Sequence, residues 1–166
     1  MSFEAGFVFL YSRILKDFSP NPERLSMSDV CFSSTSERFR DVFWRVKSLG
    51  LTCAIENWHG YTDYQIPVLD ELLESPVFGL TFDVGHNLVK KGQDEPVIMA
   101  RRNKLYHMHL HDVKDGTKDH QALGTGELDI FKCLNLAKEQ DISVVVETKT
   151  IAGLKQSAAW LHDNWK

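Results

Sequence analysis

No stretch of the 166 residues approaches the ~20 consecutive apolar side chains of a membrane span. The opening Met-Ser-Phe-Glu-Ala-Gly has no basic start of the kind a secretory signal carries, and its apolar run, Phe7 to Tyr11, is too short for one. Cysteine is scarce: Cys31, Cys53 and Cys133 are far apart and form no Cys-x-x-Cys, so no disulfide framework is expected and a reducing compartment suits the chain. Cys53 and Cys133 read as core residues. There is no basic excess either. A formal charge of −4 offers a polyanion nothing, so neither nucleic acid nor membrane is an expected partner, and the expected location is the cytoplasm. Low-complexity segments and linkers are lacking, which predicts one domain over residues 1–166. What remains is ordinary for a soluble globular protein, with 43% hydrophobic and 25% charged residues.

Against that background, four short apolar runs stand out because each ends in a metal-binding residue type. Leu51 to Glu56, Phe78 to Asp83, Leu105 to His109 and Ile142 to Glu147 start 27, 27 and 37 positions apart. Each interval holds a strand, a loop, a helix and a return loop. Runs that are apolar on both alternating faces read as buried parallel strands. Parallel strands joined through helices bring all their C-terminal ends to one side of the sheet, where an α/β barrel keeps its chemistry.

Gly6 to Ser12 reads as a further, first strand, followed by a long Ser- and Pro-containing loop over residues 13–33. Ser34 and Glu37 have capping-box spacing and open a helix with the stripe Phe39, Val42, Phe43, Val46 and Leu49, closed by Gly50. Further helices are expected over Tyr64 to Glu74 and over Glu95 to Asn103 with Pro96 in its first turn. Two more follow from the stripes Leu128, Phe131, Leu134, Ala137 and Ile151, Leu154, Ala158, Leu161, Trp165. The fold class is therefore α/β, a partial (β/α) barrel of about five β/α units with parallel strands. Five units leave sheet edges, and Val144-Val-Val146 is too apolar to face water comfortably, so a homo-oligomer is expected.

Glu56, Asp83, His109 and Glu147 form an oxygen-rich donor set for one divalent cation, Mn²⁺, Mg²⁺ or Co²⁺, with Zn²⁺ also admissible. His86 stands three residues beyond Asp83, and Gly85 between them is expected to permit a tight bend. His107, His109 and His111 alternate and so share one face, with His107 the deeper residue; Asp112 is placed to orient an imidazole. Trp58 and His59 follow Glu56, where an aromatic face suits the C–H edges of a sugar. Asp119-His120 and Leu123-Gly-Thr-Gly-Glu127 lie in a loop long enough to fold over a site.

Glu56-Asn57, Phe82-Asp-Val-Gly-His86, His109-Leu-His-Asp112, His120 with Leu123-Gly-Thr-Gly126, and Val146-Glu147-Thr148 together resemble the sugar phosphate isomerase/epimerase superfamily. This is the xylose isomerase-like barrel group that also contains the endonuclease IV enzymes. The resemblance runs from about residue 35 to 165. It covers strands five to eight of that barrel, with Gly6 to Ser12 as strand four; three upstream units have no counterpart in these residues. It implies that Glu56, Asp83, His109 and Glu147 bind one metal, that Glu56 and Glu147 also move protons, and that His86 contacts substrate. In the endonucleases the residue matching His120 is a further zinc ligand.

The expected chemistry is proton transfer next to a carbonyl of a sugar or sugar phosphate, through an enediolate, with Glu56 and Glu147 as acid and base. His86, Trp58 and His120 would contact the substrate. The alternatives are a non-catalytic or incomplete member that binds a metal or partner, and an endonuclease IV-like phosphodiester hydrolase. The acidic balance counts against the last.

Overall fold

The computed structural model describes residues 7–10, 44, 47–58 and 60–166. The chain divides into two compact units, one taking in the chain up to Ile55 with Thr62–Gly79, the other Glu56–Tyr61 with Leu80–Lys166.

In the first unit, β1 (Phe7–Leu10) pairs in parallel with β2 (Thr52–Glu56), Phe7 opposite Thr52 and Leu10 opposite Ile55. The Cys53 N–H donates to the Val77 carbonyl at 2.8 Å and so aligns the chain entering β3 (Phe78–Asp83). Between these strands lies α1 (Gln65–Leu73), whose Leu69 and Leu73, one turn apart, are buried. Gln65 starts it by accepting the Thr62 N–H at 3.0 Å, and Pro76 lies shortly beyond its end, where it cannot prolong the helix. Gly50, at φ +64°, follows helical Lys47 and Ser48 and donates to the Lys47 carbonyl, as a closing glycine does. Leu49 is exposed, so the predicted stripe does not end in a core position. Ser34, Glu37, Phe39, Val42, Phe43, Val46, Cys31 and the expected loop over 13–33 lie outside the described residues.

In the second unit, β3 pairs in parallel with β4 (Leu105–Leu110), and β4 with β7 (Ser143–Val146). Among the described residues the hydrogen-bonded orders are thus β1-β2 in the first unit and β3-β4-β7 in the second, all parallel, the strands of the α/β partial barrel that the spacing predicts. All six residues of β3 are buried, as expected of a parallel strand covered on both faces. β7 differs: Val145 is 44% exposed, so this run is not the buried strand its composition suggests. The register sets Asp83 opposite His109 and His109 opposite Val145, which levels the strand ends.

Asp83 caps α2 (Val84–Val89), a short helix leaving directly from the strand end. Next comes α3 (Glu95–Met99), with Pro96 in its first turn as expected; it gives way to a separate 3₁₀ turn at Arg102–Lys104 and is shorter than predicted. Where a loop is expected after β4, the chain forms an antiparallel hairpin of β5 (Asp112–Lys114) and β6 (Lys118–Gln121).

Asp129 caps α4 (Ile130–Gln140), accepting the Lys132 N–H at 3.0 Å. Its buried face is Ile130, Cys133, Leu134 and Ala137, while Phe131 is exposed, a rotation from the predicted stripe. The correction is larger in α5 (Ile151–Asn164): Ile151 is 77% exposed and Leu154 is exposed too, and the buried residue of the helix is Ser157.

Candidate metal centre

The four strand-end residues of metal-binding type come together in the second unit. Glu56 ends β2, Asp83 ends β3, His109 lies one residue from the end of β4, and Glu147 follows β7, its N–H donating to the Leu110 carbonyl at 3.0 Å. His109 Nδ1 lies 3.2 Å from Glu56 Oε1, 3.8 Å from Asp83 Oδ2 and 3.5 Å from Glu147 Oε1. Donor atoms sharing one ion at 2.0–2.2 Å sit roughly 3–3.5 Å apart, so the Glu56 and Glu147 separations match the edges of a coordination shell and the Asp83 separation is slightly longer. Asp83, Glu56 and His109 are buried, whereas the Glu147 side chain is 32% exposed and leaves the cluster open on its side.

Three carboxylates in so little space repel one another unless a cation lies among them. In the protein alone the His109 imidazole fills that part. Burial works to lower it, but the carboxylates of Asp83, Glu56 and Glu147 outweigh burial and push it up to about 10. Burial likewise opposes ionisation of Asp83, yet the imidazoles of His109, His111 and His86 hold its carboxyl far below the usual range. A donor set of three oxygens and one imidazole nitrogen, negatively charged and part-open, fits a divalent cation.

His86 stands on α2, its N–H donating to Asp83 Oδ1 at 2.7 Å. Its Nδ1 lies 3.1 Å from Asp83 Oδ2 and 3.7 Å from Glu56 Oε1. Burial lowers its pKa, and the Asp83 charge opposes that only in part. The Trp58 ring meets His86 edge-on with centroids 4.6 Å apart, and His120 meets it at 5.3 Å. Trp58, His86 and His120 are thus neighbours. His59 lies outside the described residues. His120 Nε2 is 3.5 Å from Glu147 Oε2; that carboxylate raises His120, and His120 in turn lowers Glu147. Asp119 faces His86 at 3.8 Å and holds Lys149 Nζ at 2.6 Å. Burial would raise its carboxyl, but Lys149 and His120 bring it down to about 2. His107 is the deeper histidine of β4: it is buried, and its Nδ1 is 2.6 Å from Ser143 Oγ.

Two expectations about the surrounding residues change. Gly85 makes no left-handed bend; it sits inside α2, and a Cβ there would collide with the His111 ring. Among the described residues the Asp112 carboxylate orients no imidazole. It accepts the Val113 and Gly126 N–H groups at 2.8 Å and the Leu128 N–H at 3.0 Å, tying down the Leu123–Glu127 loop. The glycines of that loop are equally constrained. Gly124 has φ +79° and would strike Trp160 with any side chain, and Gly126 would strike the Val113 carbonyl. The Leu123 N–H finds Ser157 Oγ at 3.0 Å, which explains the buried serine of α5. Asn57 and His111 also belong to the surroundings of the site, and their signals in the sequence are the adjacent Glu56-Asn57 and the His-x-His spacing.

The profile of the xylose isomerase-like TIM barrel family matches residues 5–164. No functionally curated protein matches the chain in sequence. Among solved structures, a D-tagatose 3-epimerase-like protein is 21% identical with a TM-score of 0.67, over 95% of this chain and 61% of its own. The 3-keto-D-glucoside 4-epimerase YcjR from E. coli, solved in its apo form, is 17% identical with a TM-score of 0.62, over 95% and 63%. An IOLI protein solved with a zinc atom is 14% identical with a TM-score of 0.63, over 95% and 62%. The chain thus spans about three-fifths of the length of each of these structures, and at such identities the likeness is one of fold. With a cluster of metal-binding side chains at its strand ends and a family profile covering almost all of it, the chain belongs to the xylose isomerase-like TIM barrel family.

Proposed function

We propose that this protein is a metal-dependent isomerase or epimerase of a small sugar or sugar phosphate. The observation that carries the reading is the convergence of Glu56, Asp83 and Glu147 on His109 Nδ1 within 3.2–3.8 Å. These four residues hold one divalent cation, Mn²⁺, Mg²⁺, Co²⁺ or Zn²⁺. When bound, the cation supplies positive charge against the negative charge that develops on the substrate oxygens as a carbon-bound proton leaves.

The chain's own groups do the proton work. Glu147, the more open of the two glutamates, and Glu56 act as base and conjugate acid at the carbon next to the carbonyl. His86 and His120 donate to substrate oxygens, and Trp58, in contact with His86, offers an apolar face to the sugar. The unbroken family match over residues 5–164 supports one domain. The exposed Val145 on β7 supports a homo-oligomer in which a second copy covers that face, which sedimentation at micromolar concentration tests. No helix among the described residues is long and apolar enough to cross a membrane.

The test is metal analysis of the purified protein, followed by reloading with each cation and incubation with ketoses, aldoses and their phosphates in D₂O. The expected result is about one equivalent of metal and deuterium entering a sugar at the carbon beside its carbonyl. Asp83→Asn should abolish both. Metal without exchange on any sugar would favour a non-catalytic binding protein, and cleavage of a DNA phosphodiester would favour the hydrolase. Absence of metal binding would overturn the whole reading.

A further inference from the structure

His111 is fully buried just beyond β4, and both of its ring nitrogens are engaged. Nδ1 receives the backbone N–H of His120 at 2.9 Å. The Asp112 carbonyl, at 3.4 Å from the same nitrogen, is the weaker contact. A nitrogen that accepts an N–H carries no proton of its own, which puts the proton on Nε2. Nε2 faces Asp83, at 3.0 Å from Oδ1 and 3.3 Å from Oδ2. Asp83 Oδ1 receives the His86 N–H at 2.7 Å, while Oδ2 accepts the His111 Nε2–H at 3.3 Å and lies 3.8 Å from His109 Nδ1, so both carboxylate oxygens are held in place.

The ring is held as firmly as its nitrogens. Gly85 leaves it room where any side chain would collide, and the His120 ring stacks on it with centroids 4.1 Å apart and planes 7° from parallel. His120 itself sits at φ +52°, a backbone state that non-glycine residues seldom hold unless something pays for it. The bond from its N–H to His111 is one such compensation. With both nitrogens engaged, His111 has no lone pair to offer a metal, although it lies beside His86 and His120.

We infer that His111 is a positioning residue: it holds the Asp83 carboxylate beside the metal through Nε2 and anchors the hairpin residue His120 through Nδ1. This rests on the metal-centre reading above and adds to it a strut between a ligand and the substrate-facing loop. Histidines that support metal ligands from behind change metal affinity about 10–100-fold when replaced.

Two substitutions separate the two ends of the strut. His111→Gln places an amide N–H where Nε2 was and keeps the donor to Asp83. His111→Asn places its amide oxygen where Nδ1 was, keeps the acceptor for His120, and is too short to reach Asp83. The full chain, stripped with EDTA, is titrated with Co²⁺ and followed by its visible spectrum, and exchange of the His120 amide is followed by NMR. His111→Gln is expected to bind Co²⁺ within about threefold of the parent and to expose the His120 amide. His111→Asn is expected to lose about 10–100-fold in Co²⁺ affinity and to keep the amide protected. Parent-like affinity in both, or equal loss in both, would overturn the inference. Should either variant fail to give a cooperative melt, Gly85→Ala takes its place: it displaces the ring while leaving every hydrogen-bonding group in the chain. It should weaken Co²⁺ binding, and unchanged binding would overturn the inference. A parent that binds no Co²⁺ removes the metal-centre reading instead, and the His120 amide then still reports whether the strut exists.

Discussion

Asn57 closes both backbone groups of Asp83. Its Oδ1 accepts the Asp83 N–H at 2.7 Å, and its Nδ2 donates to the Asp83 carbonyl at 3.0 Å. The same amide also reaches Asp94 Oδ2 at 3.3 Å, while Asp94 Oδ1 takes the Tyr61 N–H at 2.9 Å. One side chain beyond the end of β2 thereby fixes the level of the Asp83 backbone and the start of the following loop.

Replacing Asn57 by Ala leaves buried donors and acceptors without partners, each costing about 1–3 kcal/mol. The expected loss of stability is on the order of 3 kcal/mol, read by urea unfolding. Asn57→Asp should be worse, because it sets a second carboxylate against buried Asp94. Parent-like midpoints for both variants would show that these bonds carry no net weight.

His86→Ala should lower turnover on the identified sugar more than it lowers metal content. The reason is position: its Nδ1 lies 3.1 Å from Asp83 Oδ2, yet its ring reaches outward to Trp58 and His120. A general acid or substrate-orienting group of this kind contributes about 10²–10⁴-fold. Equal loss of metal and activity would make it a ligand, and no effect on either would make it a packing residue.

Asp112→Asn should destabilise the protein without removing any metal-binding side chain. The carboxylate accepts three backbone N–H groups, and an amide can turn only one acceptor oxygen towards them. A loss of about 2–4 kcal/mol is expected, and the Leu123–Glu127 loop should become the first site of limited proteolysis. Unchanged protease resistance would argue that the loop is held by Trp160 packing alone.

Stability of the metal-stripped protein should fall at alkaline pH. Burial alone would lower His109, but the Asp83, Glu56 and Glu147 carboxylates push it up to about 10 from an ordinary 6.5. A folded-state value above the unfolded one means the stabilisation is fully present below about pH 6.5 and disappears as pH rises through about 10. Melting temperatures in EDTA should therefore drop between pH 7 and 10.5, and His109→Gln should flatten that drop. A divalent ion needs the neutral imidazole, so its apparent affinity should rise across the same window. A flat affinity profile would contradict the ligand role of His109.

The strand ends were legible because they are local patterns. An apolar run of five or six residues can end in an acid or an imidazole only where the chain leaves the sheet, and parallel connection brings such ends to one side. Glu56, Asp83, His109 and Glu147 follow from that rule, and the register that sets Asp83 opposite His109 agrees with it. The helix stripes were less legible. Apolarity at helical spacing shows which side can be buried, and in α5 the chain instead buries Ser157, because the Leu123 N–H, 34 residues away, needs an acceptor.

Packing alone settles which polar groups serve the metal-binding residue types and which serve the backbone. Asp112 sits where a carboxylate could orient an imidazole, yet it goes to three N–H groups, two of them in the loop 14 and 16 residues on. His111 shares a spacing and a chemistry with His109, yet one faces three carboxylates and the other spans Asp83 and the His120 backbone. Gly85 reads as a bend and is in fact a space kept for a ring 26 residues later in the chain. A side chain's type and its face of a strand are properties of the local sequence. Its hydrogen-bond partner is whichever buried group would otherwise go unpaired, and that is known only once distant segments have packed together.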